Sequence, residues 1–410
     1  RRLCVRHPEY PPNASKPKSI SCAPKSTAYK NRQTMNRKPA NRALHQFLTG
    51  ATTGDAITDQ ALLLRGWLRG LGFESHLYAQ HIHASMAEEV RPLTTYRPAR
   101  DGRRVIYHHS IGSDVADFLR QNQLEIVLIN HNVTPPEFFE RINPAWVQLA
   151  QLGQAQLRVL PPHTILALAD SAYNELELHE AGYERTGVLP ISLAEAQLDL
   201  PDNPTLAEKL KGKRPLLLFV GRLAPNKKQE DLVKLLYFVR RLRPNAQLAL
   251  VGDRWDLKYD LWVEELAADL GLSEAVTLTG KISQQDMVTY YRAADLYVSM
   301  SEHEGFGKPF IESMYLGLPI LAYDSTSVPY TLADAGVLFR QKEYARLAEL
   351  VDILTTNKPL RQRIVARQAA RVQVFRETAV YHTFLEFLHS LQLIDKLPEP
   401  SNARRPDFGK

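Results

Sequence analysis

Short apolar runs alternate with amphipathic helical patterns from about residue 43 onward. Residues 44–48 predict a strand, 49–54 a loop, and Asp55 the N-cap of a helix whose apolar residues recur at helical spacing up to Gly72. Further strands are predicted at 75–79, 104–107, 125–129 and 165–169, and helices around 115–119 and over 171–182. Such alternation indicates a mainly parallel, doubly wound α/β sheet, which binds ligands outside the carboxyl ends of its strands.

The pattern restarts after a proline-rich polar interval at 190–215. The apolar run at 215–220 is typical of a strand buried on both faces. Four more strands are predicted at 247–251, 276–278, 296–300 and 319–322, and a last apolar helix at 378–391. We expect a leader over 1–42, a first domain over 43–195, a second domain over 196–375, a crossover helix over 376–395 and a polar tail over 396–410.

Composition narrows the function classes. Of 410 residues, 44% are hydrophobic and 23% charged, as in soluble globular proteins, and no apolar stretch reaches the length of a membrane span. The net charge of +6 would favour an anionic partner, but residues 1–34 contain eight Lys and Arg against a single Glu9. Residues 35–410 therefore carry a net charge of −1, which removes most of the support for a nucleic-acid partner.

The leader also contains Cys4 and Cys22, so residues 35–410 hold no disulfide and no Cys ligand. Its prolines and its lack of apolar periodicity predict disorder, and it has no apolar core of a secretory signal. Two interpretations stay open: an organelle-targeting or anion-binding arm, or a segment foreign to the natural protein. The second is favoured, because the chain begins with Arg and Met35 closely precedes the patterned sequence.

The most informative segment is 299–319. Glu304 lies in a loop after a predicted strand, a helix is expected to start near Pro309, and Glu312 lies on its first turn. Loop amides and a helix N-terminus favour an anionic phosphate, and a carboxylate there can accept from ribose hydroxyls. The alternative is an ordinary turn in which the glutamates only stabilise the helix start.

A second segment follows the strand at 215–220. Arg222 and Lys227 combine a guanidinium fork with an ammonium five residues later, a pair that can neutralise a diphosphate as it gains charge. Taken alone, two basic residues in a polar loop are usually just solvated. Their position after a buried strand, with Glu304 and Glu312 downstream, favours the functional interpretation.

These segments resemble the E-x7-E and G-R-x4-K stretches of family 4 glycosyltransferases, and the resemblance covers residues 43–392, most strongly 216–339. It implies the GT-B fold: two facing Rossmann-like domains, with the C-terminal helix crossing back to the first. It further implies a retaining hexosyltransferase that moves a sugar from a UDP- or GDP-sugar to a glycan or lipid-linked acceptor in polysaccharide biosynthesis. A cytoplasmic location with peripheral membrane contact is also implied.

The resemblance implies roles for individual residues. Four are implied to be catalytic: His109, Glu304, Arg222 and Lys227. The donor site would comprise Arg222, Lys227, Gly50 and Gly54 at the diphosphate, Glu304, Gly305, Phe306 and Gly307 at the sugar, Glu312 at the ribose, and Lys281 and Ile282 at the base.

The motifs of the first domain are less specific than those of the second. Asp55, His108, His131 and Asn132 are acceptor candidates, and His109 is preferred to His108 as the histidine facing the cleft. For Asp55 a plain helix cap is an equal alternative. Asp170 is interpreted as structural.

No cofactor and no metal are expected. A D-x-D doublet in a suitable loop, a Walker loop and HExxH are absent from the sequence, so Arg222 and Lys227 are expected to replace a divalent cation. Rival functions within the same architecture are a sugar-nucleotide epimerase and a sugar phosphorylase. A non-catalytic carbohydrate- or nucleic-acid-binding protein is the rival from another class.

Overall fold

The computed structural model describes residues 42–254 and 256–397. The predictions for the leader, including Cys4 and Cys22, lie outside the described residues, as does the tail from residue 398. Within the described part, no helix is both long enough and apolar enough to cross a membrane.

The first of two sheets is parallel and lies in the N-terminal part of the described chain. Its strands are β1 (His45–Ala51), β2 (Leu77–Ile82), β3 (Val90–Pro92), β4 (Arg104–His109), β5 (Glu125–Asn130), β6 (Thr164–Ala169) and β7 (Thr186–Val188). Its helices are α1 (Ala56–Gly70), α2 (Pro98–Asp101), α3 (Asp114–Gln121), α4 (Pro144–Val159) and α5 (Ala172–Glu180). The strand order is β3-β2-β1-β4-β5-β6-β7, so the winding direction reverses between β1 and β4.

The short helices α6 (Glu195–Leu198) and α7 (Pro204–Leu210) lead to the second sheet. Its strands are β8 (Leu216–Val220), β9 (Gln247–Val251), β10 (Val276–Leu278), β11 (Leu296–Ser299), β12 (Ile320–Tyr323) and β13 (Val337–Phe339). The helices after them are α8 (Gln229–Leu242), α9 (Leu257–Asp269), α10 (Gln284–Ala293), α11 (Lys308–Tyr315), α12 (Val328–Leu332), α13 (Tyr344–Thr356) and α14 (Lys358–Arg371). The order β10-β9-β8-β11-β12-β13 reverses between β8 and β11, where open α/β sheets bind ligands.

The chain returns to the first domain through α15 (Glu377–Ser390). Its buried residues Val380, Phe384 and Leu388 join the cluster around Trp67, whose indole N–H donates to Glu377 at 3.2 Å. Burying such side chains contributes about 1.5–3 kcal/mol each, which holds the returning helix on the first sheet. The predicted class, two doubly wound domains with a helix that crosses back, is confirmed.

The two connections between the domains run side by side. The amide of Leu193 donates to the carbonyl of Phe375 at 2.8 Å. Next to it, the Arg376 guanidinium binds both carboxylate oxygens of Glu195, at 2.9 and 2.7 Å. The outgoing and returning segments therefore brace each other at the point where the domains join.

The differences from the predicted elements are local. Strand β1 continues through Ala51, so Gly50 lies in a strand and not in the loop. Strand β2 begins at Leu77, two residues later than predicted. The three-residue strands β3, β7 and β13, and the helices α4, α13 and α14, were not predicted. Three residues cannot display a period of two, so a strand this short is predictable only from its surroundings, as the equally short β10 is from the glycine that follows it.

Candidate functional site

The site is built where the second sheet reverses, from the loops after β8 and β11. Arg222, just after β8, is exposed, and its side chain makes no ion pair or hydrogen bond with the residues that the structure describes. Lys227, at the end of the same loop, places Nζ 2.5 Å from Oε2 of Glu304 in the loop after β11. The two segments singled out in the sequence therefore meet. Lys227 is paired, whereas the Arg222 side chain has no partner in the described part of the chain.

Asn226 holds these loops together. Its side-chain amide donates to the backbone carbonyl of His303 at 3.0 Å, and its backbone carbonyl accepts from the backbone amide of Glu302 at 2.9 Å. Lys342 adds an ion pair to Glu302 at 2.7 Å. Sequence reasoning missed Asn226; its position inside the G-R-x4-K stretch was the only signal for it.

The first backbone amides of α11 lack a carbonyl partner within the helix, as at any helix start. Gly307 precedes the helix with φ +85°, a left-handed conformation that favours glycine. Phe306, predicted to contact the donor sugar, is buried against Phe375 with the ring centres 5.6 Å apart, and its carbonyl accepts from Thr331. The Phe306 side chain therefore belongs to the core, and the contact with the donor sugar stays a prediction for its backbone amide.

Glu312 lies in α11 one turn after its start and is buried. Its Oε2 accepts from the hydroxyl of Tyr291 at 2.7 Å, and burial together with the Glu312 charge raises the pKa of Tyr291 well above its usual value. The other carboxylate oxygen of Glu312 has no partner among the described residues, which leaves it available to a ligand.

Lys308, the first residue of α11, reaches across to the first domain. Its Nζ lies 3.1 Å from Oδ2 of Asp59 on α1. Burial alone would lower the pKa of Lys308, but the carboxylates of Glu312 and Asp59 outweigh it and raise the pKa. The ammonium is therefore charged at neutral pH, and its ion pair with Asp59 connects α11 to α1.

His303 is a buried histidine in the loop itself. Its ring lies 6.1 Å from the ring of Phe138 in the first domain, and its nitrogens make no hydrogen bond with described residues. Burial, followed by the Lys227 charge, lowers the pKa of His303 to about 3. The ring is therefore neutral beside the Lys227–Glu304 pair.

The glycine loop contacts the first domain directly. The carbonyl of Gly305 accepts from the side-chain amide of Asn174 at 2.6 Å, and a methyl group at Gly305 would lie 2.6 Å from the carbonyl oxygen of His131. Nearby, Nζ of Lys281 donates to the carbonyl of Thr53 at 3.0 Å. The segments predicted to hold sugar and base thus lie against the loops of the first domain, and Ile282 is half-buried beside them.

The loop after β1 leaves open space at its tip. Gly54 has φ +82°, and a methyl group there would meet no atom within 4 Å. Asp55 caps α1, since its Oδ2 accepts from the amide of Thr58 at 2.9 Å and from the Thr58 hydroxyl at 3.0 Å. Of the two interpretations of Asp55, the structure therefore supports the helix cap.

His109 does not face the cleft. Its ring is fully buried, with Nδ1 3.1 Å from the Tyr107 hydroxyl and Nε2 3.1 Å from the carbonyl of Gly153 on α4. Burial lowers its pKa to about 4. The preference for His109 over His108 was wrong about its surroundings, because successive strand residues point to opposite faces and His109 lies on the α4 side of β4.

Asn132 links the end of β5 to α5. It adopts φ +67°, and its side-chain amide donates to Asn174 at 3.0 Å and to Oε2 of Glu177 at 2.7 Å. Its side-chain oxygen Oδ1 is buried and accepts no hydrogen bond from the described residues. His108 and His131 are also buried, and their hydrogen bonds are described below.

Glu177 gives this contact a pH dependence. Burial, then the Glu180 carboxylate, raise the pKa of Glu177 from 4.5 to about 7. Between these values the folded protein holds a proton that the unfolded chain releases, so the free energy of unfolding falls as pH rises. Glu177→Gln should remove this slope and be about 1–2 kcal/mol more stable than the wild type at about pH 7.5, but not at about pH 4.5, after discounting for partial exposure.

Denaturant unfolding of the two proteins across this pH range measures the difference. Glu184→Gln, which changes an exposed carboxylate that makes no ion pair with described residues, is the matched control and should follow the wild type. A Glu177→Gln curve parallel to that of the wild type would contradict the assignment.

Among the described residues, no three His, Cys, Asp or Glu side chains come together in a group that could hold a metal ion.

Residues 205–371 match the family model described as glycosyl transferases group 1. The second domain is a group 1 glycosyltransferase domain. This family was identified in the sequence from Arg222, Lys227, Glu304 and Glu312, all of which lie in the matched range.

Curated relatives agree with the family. The chain is 30% identical over 234 residues to D-inositol 3-phosphate glycosyltransferase of Nocardia farcinica, covering 55% of this chain and 52% of that protein. It is also 30% identical over 183 residues to GDP-mannose-dependent alpha-(1-6)-phosphatidylinositol monomannoside mannosyltransferase of Mycobacterium tuberculosis, covering 42% and 46%. The chain thus spans about half the length of the curated relatives that it matches.

Solved structures share the whole fold. Anabaena Alr3699/HepE, in complex with UDP and glucose, has a TM-score of 0.67 at 19% identity, covering 85% of this chain and 99% of that chain. Sucrose-phosphate synthase from Thermosynechococcus elongatus has a TM-score of 0.67 at 17% identity, covering 86% and 100%. At these identities the likeness establishes the GT-B fold alone.

Proposed function

We propose that this protein transfers a sugar from a UDP- or GDP-sugar to a glycan or lipid-linked acceptor, with retention of configuration and without a divalent metal. The observation that carries the proposal is the Lys227–Glu304 contact at 2.5 Å, which brings the two donor segments together beside the exposed Arg222. The names of the relatives support nucleotide sugars as donors and hydroxyl-rich or lipid-linked acceptors.

In the proposed donor complex, Arg222 and Lys227 bind the diphosphate and the amides of Gly305–Gly307 face the sugar. Two cations that approach the leaving diphosphate stabilise the charge it gains as the bond to the anomeric carbon breaks. Lys227 would exchange part of its contact with Glu304 for the phosphate, which frees the carboxylate to accept from sugar hydroxyls. The free oxygen of Glu312 is suited to the ribose.

For retention, the acceptor hydroxyl attacks the anomeric carbon from the face that the diphosphate leaves. The bond between that carbon and the phosphate oxygen breaks as the bond to the acceptor oxygen forms. The acceptor proton passes to the departing phosphate oxygen, and nucleoside diphosphate is released. Glu304 needs no covalent role, which separates this scheme from a glycosidase with two carboxylates.

The proposal is tested by incubating the full chain with UDP- and GDP-sugars and with inositol or glycan acceptors, with and without EDTA. We expect nucleoside diphosphate release that depends on acceptor, is unchanged by the chelator, and gives a product with the donor's anomeric configuration by NMR. An epimerised donor formed without acceptor would instead support the epimerase, and sugar 1-phosphate formed from a glycan and inorganic phosphate would support the phosphorylase. The expected peripheral membrane contact and cytoplasmic location stay predictions.

A further inference from the structure

Four buried side chains form a continuous hydrogen-bonded chain from Gln46 on β1 to the carboxyl ends of β4, β5 and β6. We call Gln46, His108, His131 and Asp170 the histidine relay. Oε1 of Gln46 lies 2.9 Å from Nε2 of His108, Nδ1 of His108 lies 2.9 Å from Nε2 of His131, and Nδ1 of His131 lies 2.8 Å from Oδ2 of Asp170. The chain follows the strand order, since β1, β4, β5 and β6 are consecutive neighbours.

Gln46 sets the direction of the relay. Its side-chain nitrogen donates to the carbonyl of Ala61 on α1 at 2.9 Å, so its oxygen is the atom that faces His108. An amide oxygen only accepts hydrogen bonds, so Nε2 of His108 must carry a hydrogen. Reversing the amide would set two oxygens against each other at Ala61.

His108 passes this direction on. The Asp170 carboxylate lies beside His131 and not beside His108, so a positive charge is stabilised on His131. Burial lowers the pKa of His108 well below its usual value, which agrees with a neutral His108 ring. A neutral imidazole has a single N–H, and that hydrogen is already on Nε2. Nδ1 of His108 is therefore an acceptor, and Nε2 of His131 must donate to it.

A neutral His131 would carry one hydrogen, on one of its two ring nitrogens. The contacts at the end of the relay indicate a hydrogen on both. Nε2 of His131 already carries a hydrogen, and Nδ1 of the same ring makes the contact to Asp170. We propose that His131 is an imidazolium that donates from both ring nitrogens, with Asp170 ionised beside it. Both side chains are 2% exposed, so the charge of each is compensated mainly by the other.

The consequence for catalysis rests on the proposed function. The backbone carbonyl of His131 lies against Gly305 in the predicted sugar loop. The His131 ring cannot accept the acceptor's proton, because an imidazolium that donates from both nitrogens has no free lone pair. His131 and His108 are therefore positioning residues, and His131 is excluded as the general base. The other titratable groups around the relay are His109 on β4, Glu177 through Asn132, and Glu304 next to Gly305.

Nuclear magnetic resonance of the full chain labelled with ¹⁵N-histidine tests the proposal without any activity measurement. Between about pH 6 and pH 8, both ring nitrogens of His131, assigned by their loss in His131→Asn, should have shifts of the protonated type. One unprotonated nitrogen on His131 across this range would overturn the proposal. Because no substrate is present, its failure is distinguishable from failure of the proposed transfer reaction.

Two variants should switch His131 to opposite neutral tautomers. Gln46→Met removes the acceptor, so His108 can donate from Nδ1, and His131 should lose the hydrogen on Nε2. Asp170→Asn can donate its amide hydrogen to Nδ1, so His131 should keep only the hydrogen on Nε2. Gln60→Met, at a buried glutamine that binds the amide of Ser192, is the control and should keep both hydrogens. The same doubly protonated pattern in Gln46→Met would contradict the role of Gln46.

Discussion

Arg222→Ala is expected to lower the rate of sugar transfer by about 10²–10³-fold, the effect of removing one preorganised group that stabilises charge in a transition state. The free energy of unfolding should change by less than about 0.5 kcal/mol, because the side chain is exposed and has no partner among the described residues. Steady-state kinetics with saturating acceptor, together with denaturant unfolding, separate the two effects.

Arg363→Ala is the matched control. Arg363 is also an exposed arginine of the second domain, lies on α14, and makes no ion pair with described residues. The control should transfer sugar at the wild-type rate. Unchanged turnover and donor affinity in Arg222→Ala would contradict the diphosphate assignment, and equal losses in both variants would point to a general effect of charge.

Gly252→Ala should cost about 2–3 kcal/mol of unfolding free energy and also impair donor binding. Gly252 follows β9 with φ +151°, and a methyl group there would lie 2.1 Å from the carbonyl oxygen of Gly221. No side-chain rotation relieves a clash with a backbone oxygen, so the segment that carries Arg222 would have to move. Denaturant unfolding measures the loss of stability.

Gly336→Ala provides the comparison for this variant. Its backbone is compatible with alanine, and the added methyl group would meet the flexible Cδ1 of Leu332 at 3.1 Å. We expect a change below about 1 kcal/mol in either direction. If Gly252→Ala were equally mild and kept its affinity for nucleoside diphosphate, the close approach of the two loops would be irrelevant to the site.

Continuous apolar runs made the second sheet readable. The bounds of β9 and β10 agree with the sequence prediction, because a turn glycine closely follows each apolar segment. The edge strands of the first sheet were harder to predict, because β3 and β7 have three residues each. The sequence also did not indicate that β1 continues through Gly50, because Thr and Gly are as common in loops as at strand ends.

Within the site, the two donor segments were predictable from their motifs, but the pairing of individual side chains between distant segments was not. The loops with Arg222, Lys227 and Glu304 come together because they follow β8 and β11, which are neighbours at the reversal of the sheet. The relay could not be read, because Gln46 and Asp170 meet the histidines only through the order β1-β4-β5-β6.

The central claim is that the loops after β8 and β11 form a nucleoside diphosphate site, and calorimetric titration tests it most directly. UDP or GDP should bind the wild type at least about tenfold more tightly than the corresponding nucleoside, and Arg222→Ala should remove most of that difference. Equal binding of diphosphate and nucleoside by the wild type, or a preference that survives intact in Arg222→Ala, would contradict the account.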